Sequence, residues 1–180
     1  MRRLLFLTVV AVLAIQTAYS QSPGSDSPRL LKSGELVQLS DAVTFRVTRA
    51  TKSPFTSVKT GGQAVVVVLD LEARRSVTIS YQLSANPKLS EIYLTDGAQK
   101  MAPSAVIEDF PSWGADNDKE IEILDPMDKS GGVNLSFQRK GSVSLLFDVP
   151  VEQAKTLQKL SIKLRTATPT AEQHSFLVTL

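Results

Sequence analysis

Cysteine is missing from all 180 residues, and histidine occurs once, as His174. The first absence excludes structural disulfides, thiol nucleophiles, cysteine zinc sites, iron–sulfur ligation and a lipidated N-terminal cysteine. The second excludes a multi-histidine metal cage. Aromatics are sparse at 6%, with Trp113 the single tryptophan. Neither sign of charge dominates: 20 basic and 18 acidic groups leave +2, which gives no reason to expect nucleic acid or an anionic membrane as partner. Hydrolase and phosphate-loop signatures are absent too. No GxSxG, SxxK, GxGxxG or GxxxxGK[ST] occurs anywhere. No repeat of 20–50 residues is visible, and no apolar run reaches the length of about 20 residues that a membrane-spanning helix needs.

The longest apolar run is nevertheless informative. Leu4 to Ile15 is 12 residues interrupted only by Thr8, preceded by Arg2-Arg3 and followed by small residues at Ala18 and Ser20. Basic, apolar and small-residue regions in that order make up a secretory signal peptide, so cleavage after Ser20 and export to the periplasm or exterior are expected. The exported chain from Gln21 would have no membrane insertion. It would retain 18 basic and 18 acidic groups, because Arg2 and Arg3 supply the whole excess. Residues 21–33 (QSPGSDSPRLLKS) are rich in Ser, Pro and Gly and read as a flexible lead-in to one domain over 34–180.

That domain is dominated by a period of two. Val43, Phe45 and Val47 alternate with polar residues, as do Val77, Ile79, Tyr81 and Leu83, and Leu160, Ile162 and Leu164. Val65 to Leu71 begins as a continuous apolar run, which predicts a central strand covered on both faces at its start. Asp96-Gly97 between short strands predicts a tight type I′ hairpin. Nine or ten such segments, with only 151–159 able to form a helical turn or an ordered loop, predict an all-β, immunoglobulin-like antiparallel β-sandwich with at most one short helix.

Three segments carry a resemblance: GGQAVVVVLDLEA (Gly61 to Ala73), LTDGAQKM (Leu94 to Met101) and GSVSLLFDVP (Gly141 to Pro150). Together they resemble the secreted bacterial telokin-like, immunoglobulin-like domains, a family largely of unknown function. The direct matches cover about a fifth of the exported chain. The sequence departs from the family at Arg74-Arg75, where Asn is frequent. The resemblance implies a β-sandwich acting as a binding or envelope module, with no catalytic residues to carry over.

The candidate chemistry lies in one acidic stretch. From Glu108 to Asp128 there are eight carboxylates and one base, Lys119, against 17 basic and 10 acidic groups in the rest of the exported chain. The charge is thus −7 in the stretch and +7 elsewhere. Asp116, Asp118 and Glu120 place oxygen ligands at alternate positions, as calcium loops do, which makes Ca²⁺ an alternative cofactor to none at all. The EF-hand pattern stops there, with Ile121 at its sixth position and Met127 at its twelfth. A solvated acidic loop is the plainer reading. Phe110 and Trp113 in the same stretch are candidate contacts for a protein or envelope partner, or else cover for the end of the sandwich. An Asp/Glu hydrolase would need two of these carboxylates to converge. His174, the only possible histidine base, reads as the frayed, exposed start of the last strand. The expectation is a non-enzymatic interaction module.

Overall fold

A computed structural model describes residues 27–50, 63–111, 119–124, 131–167 and 171–180. Those residues form thirteen strands in two sheets and no helix. The first sheet runs β1 (Arg29–Lys32), β13 (Glu172–Thr179), β12 (Lys159–Thr166), β5 (Val77–Leu83) and β10 (Gly131–Phe137). In it β6 (Ile92–Thr95) also pairs with β12, and β7 (Lys100–Met101) pairs with β6. The second runs β2 (Leu36–Gln38), β3 (Val43–Arg49), β4 (Gln63–Ala73), β11 (Lys140–Val149), β8 (Ala105–Pro111) and β9 (Lys119–Leu124). Taken in chain order, β3, β4, β5, β8, β11, β12 and β13 reproduce the two-sheet strand order of an immunoglobulin constant-type sandwich. The expected sandwich is therefore the fold.

Alternation places the core. On β4, Val65, Val67, Leu69 and Leu71 face inward, and the antiparallel register with β11 sets Val143, Leu145 and Phe147 beside them. Opposite, β5, β12 and β13 supply Ile79, Tyr81, Leu83, Leu160, Ile162, Leu164 and Phe176. Val66 points the other way and is still only 5% exposed, so β4 is covered on both faces at its start, as its continuous apolar run predicted.

Two local features differ from the sequence expectations, and two more add to them. Arg29–Lys32, within the stretch read as lead-in, is strand β1 and pairs in parallel with β13, so the sandwich is not wholly antiparallel. A polar composition hid it because only Leu31 of its four residues is buried. The β1–β2 turn closes with Glu35 N donating to Lys32 O, and Gly34 at φ 85° gives it the positive angle of a type II turn. The Asp96-Gly97 hairpin forms, but its loop spans residues 96–99 instead of two residues, because the Asp96 carboxylate accepts from the amides of Ala98 and Gln99. Gly131-Gly132 is paired with Leu83 and Gln82 inside β10. Residues 151–156 form a succession of turns, the ordered loop of the two readings, and they seat Leu157 in the core.

Candidate functional site

The acidic stretch is not one loop. β8 and β9 are the arms of an antiparallel hairpin at the edge of the second sheet, with Phe110 opposite Glu120 and Asp109 opposite Ile121 in backbone register. Trp113, Asp116 and Asp118 lie outside the described residues, so the three calcium candidates are not brought together by anything described. Among the described residues no group of three or more His, Asp or Glu could hold a metal ion.

Glu108, counted with the loop acids in the sequence, belongs to the interior. It shares the inward parity of Val106 on β8 and is 8% exposed. The Tyr81 hydroxyl, on β5 of the opposite sheet and 1% exposed, donates to Glu108 Oε1 at 2.8 Å. A buried polar group needs such a partner, so this bond is an inter-sheet tie and takes Glu108 out of any surface site.

His174 is likewise not a frayed end. β13 begins at Glu172, and the imidazole lies parallel to the Phe176 ring at 6.3 Å between centroids. Phe176 in turn meets Phe45 of the other sheet at 5.0 Å. The His174 side chain is 18% exposed and its Nε2 has no hydrogen-bond partner. Glu172 Oε2 stands 3.9 Å away, beyond hydrogen-bond range. Burial holds the imidazole below its ordinary value of 6.5, against a smaller upward pull from Glu172. Among the described residues no nucleophile is hydrogen-bonded to its Nε2.

Charge sorts by face. On the outer surface of the second sheet acids and bases are interleaved: Arg46 pairs with Asp70 at 3.4 Å and Lys140 with Glu72 at 3.3 Å, and in the bends at the ends of β3 and β4 Arg75 pairs with Asp41 at 2.9 Å. A shallow depression of about 150 Å³ lies among Leu36, Thr44, Arg46, Asp70, Glu72 and Lys140, and its charges cancel.

The outer surface of the first sheet is different. Strand β12 turns Lys159, Ser161, Lys163 and Arg165 outward, with no acid among them. Arg165 is engaged by Glu91, which accepts from Nη1 at 2.8 Å and also meets Nη2. Glu91 sits where the chain returns to the edge of β12 after an excursion from Ser84, and its carboxylate also accepts from the Gln82 amide at 2.7 Å. That clamp sets β6 in line with β5 against β12. Among the described residues Lys159 and Lys163 have no ion-pair partner, nor does Lys32 of β1. The Lys100 ammonium lies 4.4 Å from the Tyr93 ring centroid, a cation–π contact. Burial pushes the Tyr93 hydroxyl up, but hydrogen bonding from Ser161 and Lys100, with the ammonium's charge, outweighs it and leaves the hydroxyl below its ordinary value.

The register joins these side chains across the sheet. Tyr93, Ser161, Leu177 and Leu30 form one outward row over β6, β12, β13 and β1. Lys159 and Lys32 flank it on one side, and Lys163 with Arg165 on the other. Leu30 is 74% exposed. The arrangement can attract anions and bury a small apolar contact. Sequence reading missed it, although the outward positions of 159–165 contain no acid whereas those of β4 include Asp70 and Glu72.

No family model and no curated protein matches the sequence. Among solved structures the chain is similar to an uncharacterized beta-sandwich protein from Clostridium difficile 630, with 10% identity, 88% of this chain and 99% of that one covered, and a TM-score of 0.40. The class of protein that the two sheets define is an all-β sandwich of immunoglobulin-like strand order.

Proposed function

We propose that this chain is an exported, non-enzymatic binding module of the cell envelope or exterior, of the kind its telokin-like resemblance implies. Its contact surface is the outer face of the first sheet, and its target carries negative charge. The observation that supports this reading is the contrast between the two faces. One neutralises its charges internally; the other presents Lys32, Lys159 and Lys163, without ion-pair partners among the described residues, around a row of half-buried Tyr93 and Leu177 and exposed Leu30. Unpaired cations on one face steer an anionic partner over a range of about 10 Å at ordinary ionic strength.

Retention on immobilised polyglutamate tests it. The protein is expected to bind at low salt and elute as salt rises, and Lys159→Glu with Lys163→Glu is expected to abolish retention. Lys140→Glu, which alters a cation already facing Glu72, is expected to change it little. Equal retention of all three proteins would overturn the assignment to this face.

The β8–β9 hairpin supports a second contact, because β9 ends the second sheet and has no strand paired on its outer side among the described residues. Phe110 and Trp113 are its proposed contact residues. Replacing both by Ala should weaken partner binding and leave the melting temperature unchanged; a protein that unfolds instead would make them structural.

A further inference from the structure

Resting on the proposed contact face, we infer that its partner is an acidic protein segment carrying aliphatic side chains, in preference to an anionic sugar polymer. The cations account for negative charge on the target but not for what lies between them. Tyr93, Leu177 and Leu30 are spaced across three strand intervals of about 4.8 Å each, a row of about 14 Å with Ser161 as its low point. Leu30 and Leu177 offer neither a hydrogen bond nor a π face, so they contribute to binding only by meeting apolar surface. A polyanionic sugar brings charge and hydroxyls and would leave Leu30 in water. A segment alternating carboxylates with aliphatic residues satisfies both halves of the face at once. Its acids meet Lys159 and Lys32 on one side and Lys163 on the other, while its apolar residues cover the row. The acids nearest this surface are already engaged: Glu91 holds Arg165 and the Gln82 amide, Glu35 accepts from Arg29 and the Lys32 amide, and Asp96 accepts from the amides of its own turn. Arg165, held by Glu91, frames the upper boundary.

Three labelled probes test this by fluorescence anisotropy with the purified protein: a soluble peptide of alternating Glu and Leu, an oligoglutamate of equal charge, and polygalacturonate. The Glu/Leu peptide is expected to bind about tenfold more tightly than oligoglutamate, the gain from burying roughly two partly exposed leucines. Leu30→Ser with Leu177→Ser should erase that preference and leave oligoglutamate binding intact. Should Leu177→Ser lower the melting temperature, Leu30→Ser alone, on an edge strand, carries the comparison. Lys163→Glu should weaken both peptides. Equal affinity for the two peptides, a preference that survives Leu30→Ser, or polygalacturonate binding as tightly as the Glu/Leu peptide would overturn the inference. So would self-association of the protein that the leucine changes abolish, because a second copy would then be the occupant. If Lys163→Glu alters no probe, the contact face itself is wrong, and that failure is separate from a mere lack of preference between peptides.

Discussion

Tyr81→Phe is the cleanest perturbation of what holds the two sheets in register. It removes one hydroxyl and leaves the ring in place, so no cavity opens in a position that is 1% exposed. What it removes is the donor to Glu108 Oε1 at 2.8 Å. A hydrogen bond to a carboxyl in this setting contributes roughly 1.5–3 kcal/mol, because water cannot re-enter to take the donor's place. Taking about 2 kcal/mol, and about 2–4 °C per kcal/mol for a domain of this size, the melting temperature should fall by about 4–8 °C. Glu108→Gln keeps an acceptor oxygen and should cost less, about 1 kcal/mol. The double variant should fall short of the sum of the two, since both changes act on one bond. Chemical denaturation of the four proteins gives the cycle directly. If Tyr81→Phe melts with the parent protein, or if the two changes add fully, the bond contributes nothing and Glu108 behaves as one more surface acid.

Two further predictions concern acid and backbone. Burial holds His174 below the 6.5 of the unfolded chain, so the folded state resists a proton that the unfolded state accepts. Stability should be full above pH 6.5, decline as pH falls from 6.5 toward the depressed folded value, and level off below it. His174→Phe should remove that step, read as the difference between the two proteins' urea midpoints across pH 8 to 5; identical pH profiles would refute it. Gly97 has φ 105° with open space where a Cβ would sit. Gly97→Ala should therefore cost about 1 kcal/mol through backbone strain alone, whereas Gly132→Ala, also in open space but without a positive φ, should be nearly neutral. Equal melting temperatures for the two variants would refute this.

Periodicity made the core legible because inward residues on these strands are almost all aliphatic or aromatic. Phe45, Ile79, Leu145 and Ile162 could be placed in the interior from alternation alone, and each is fully buried. The same rule misplaced Glu108. A carboxylate at an inward position looks like a surface acid until its partner is known, and Tyr81 lies 27 residues away on the other sheet. β1 was missed for a related reason. An edge strand buries one residue in four here, so its composition resembles a linker. His174 was read as frayed because the strand's extent is set by pairing with Leu164 and Gln173's partner Arg165, which local sequence does not encode.

The charge division changes meaning once faces replace segments. Counted along the chain, the anomaly is the acidic run from Glu108 to Asp128, and the balancing positive charge looks diffuse. In the folded chain one of those acids is buried, and the positive charge is divided unequally between two outer surfaces. Cations on the second sheet stand within reach of Asp70, Glu72 and Asp41, so their fields cancel at short range. Those on β12, at 159, 163 and 165, stand on a strand with no outward acid, so among the described residues only Arg165 is matched, and by a residue that also closes the β5–β6 excursion. Exposed pairs contribute little to stability, and an unpaired lysine row contributes less still. Its arrangement around Tyr93, Leu177 and Leu30 therefore has no explanation in folding. The proposed binding role would supply one, and it would also give Leu30 a reason to stand in solvent.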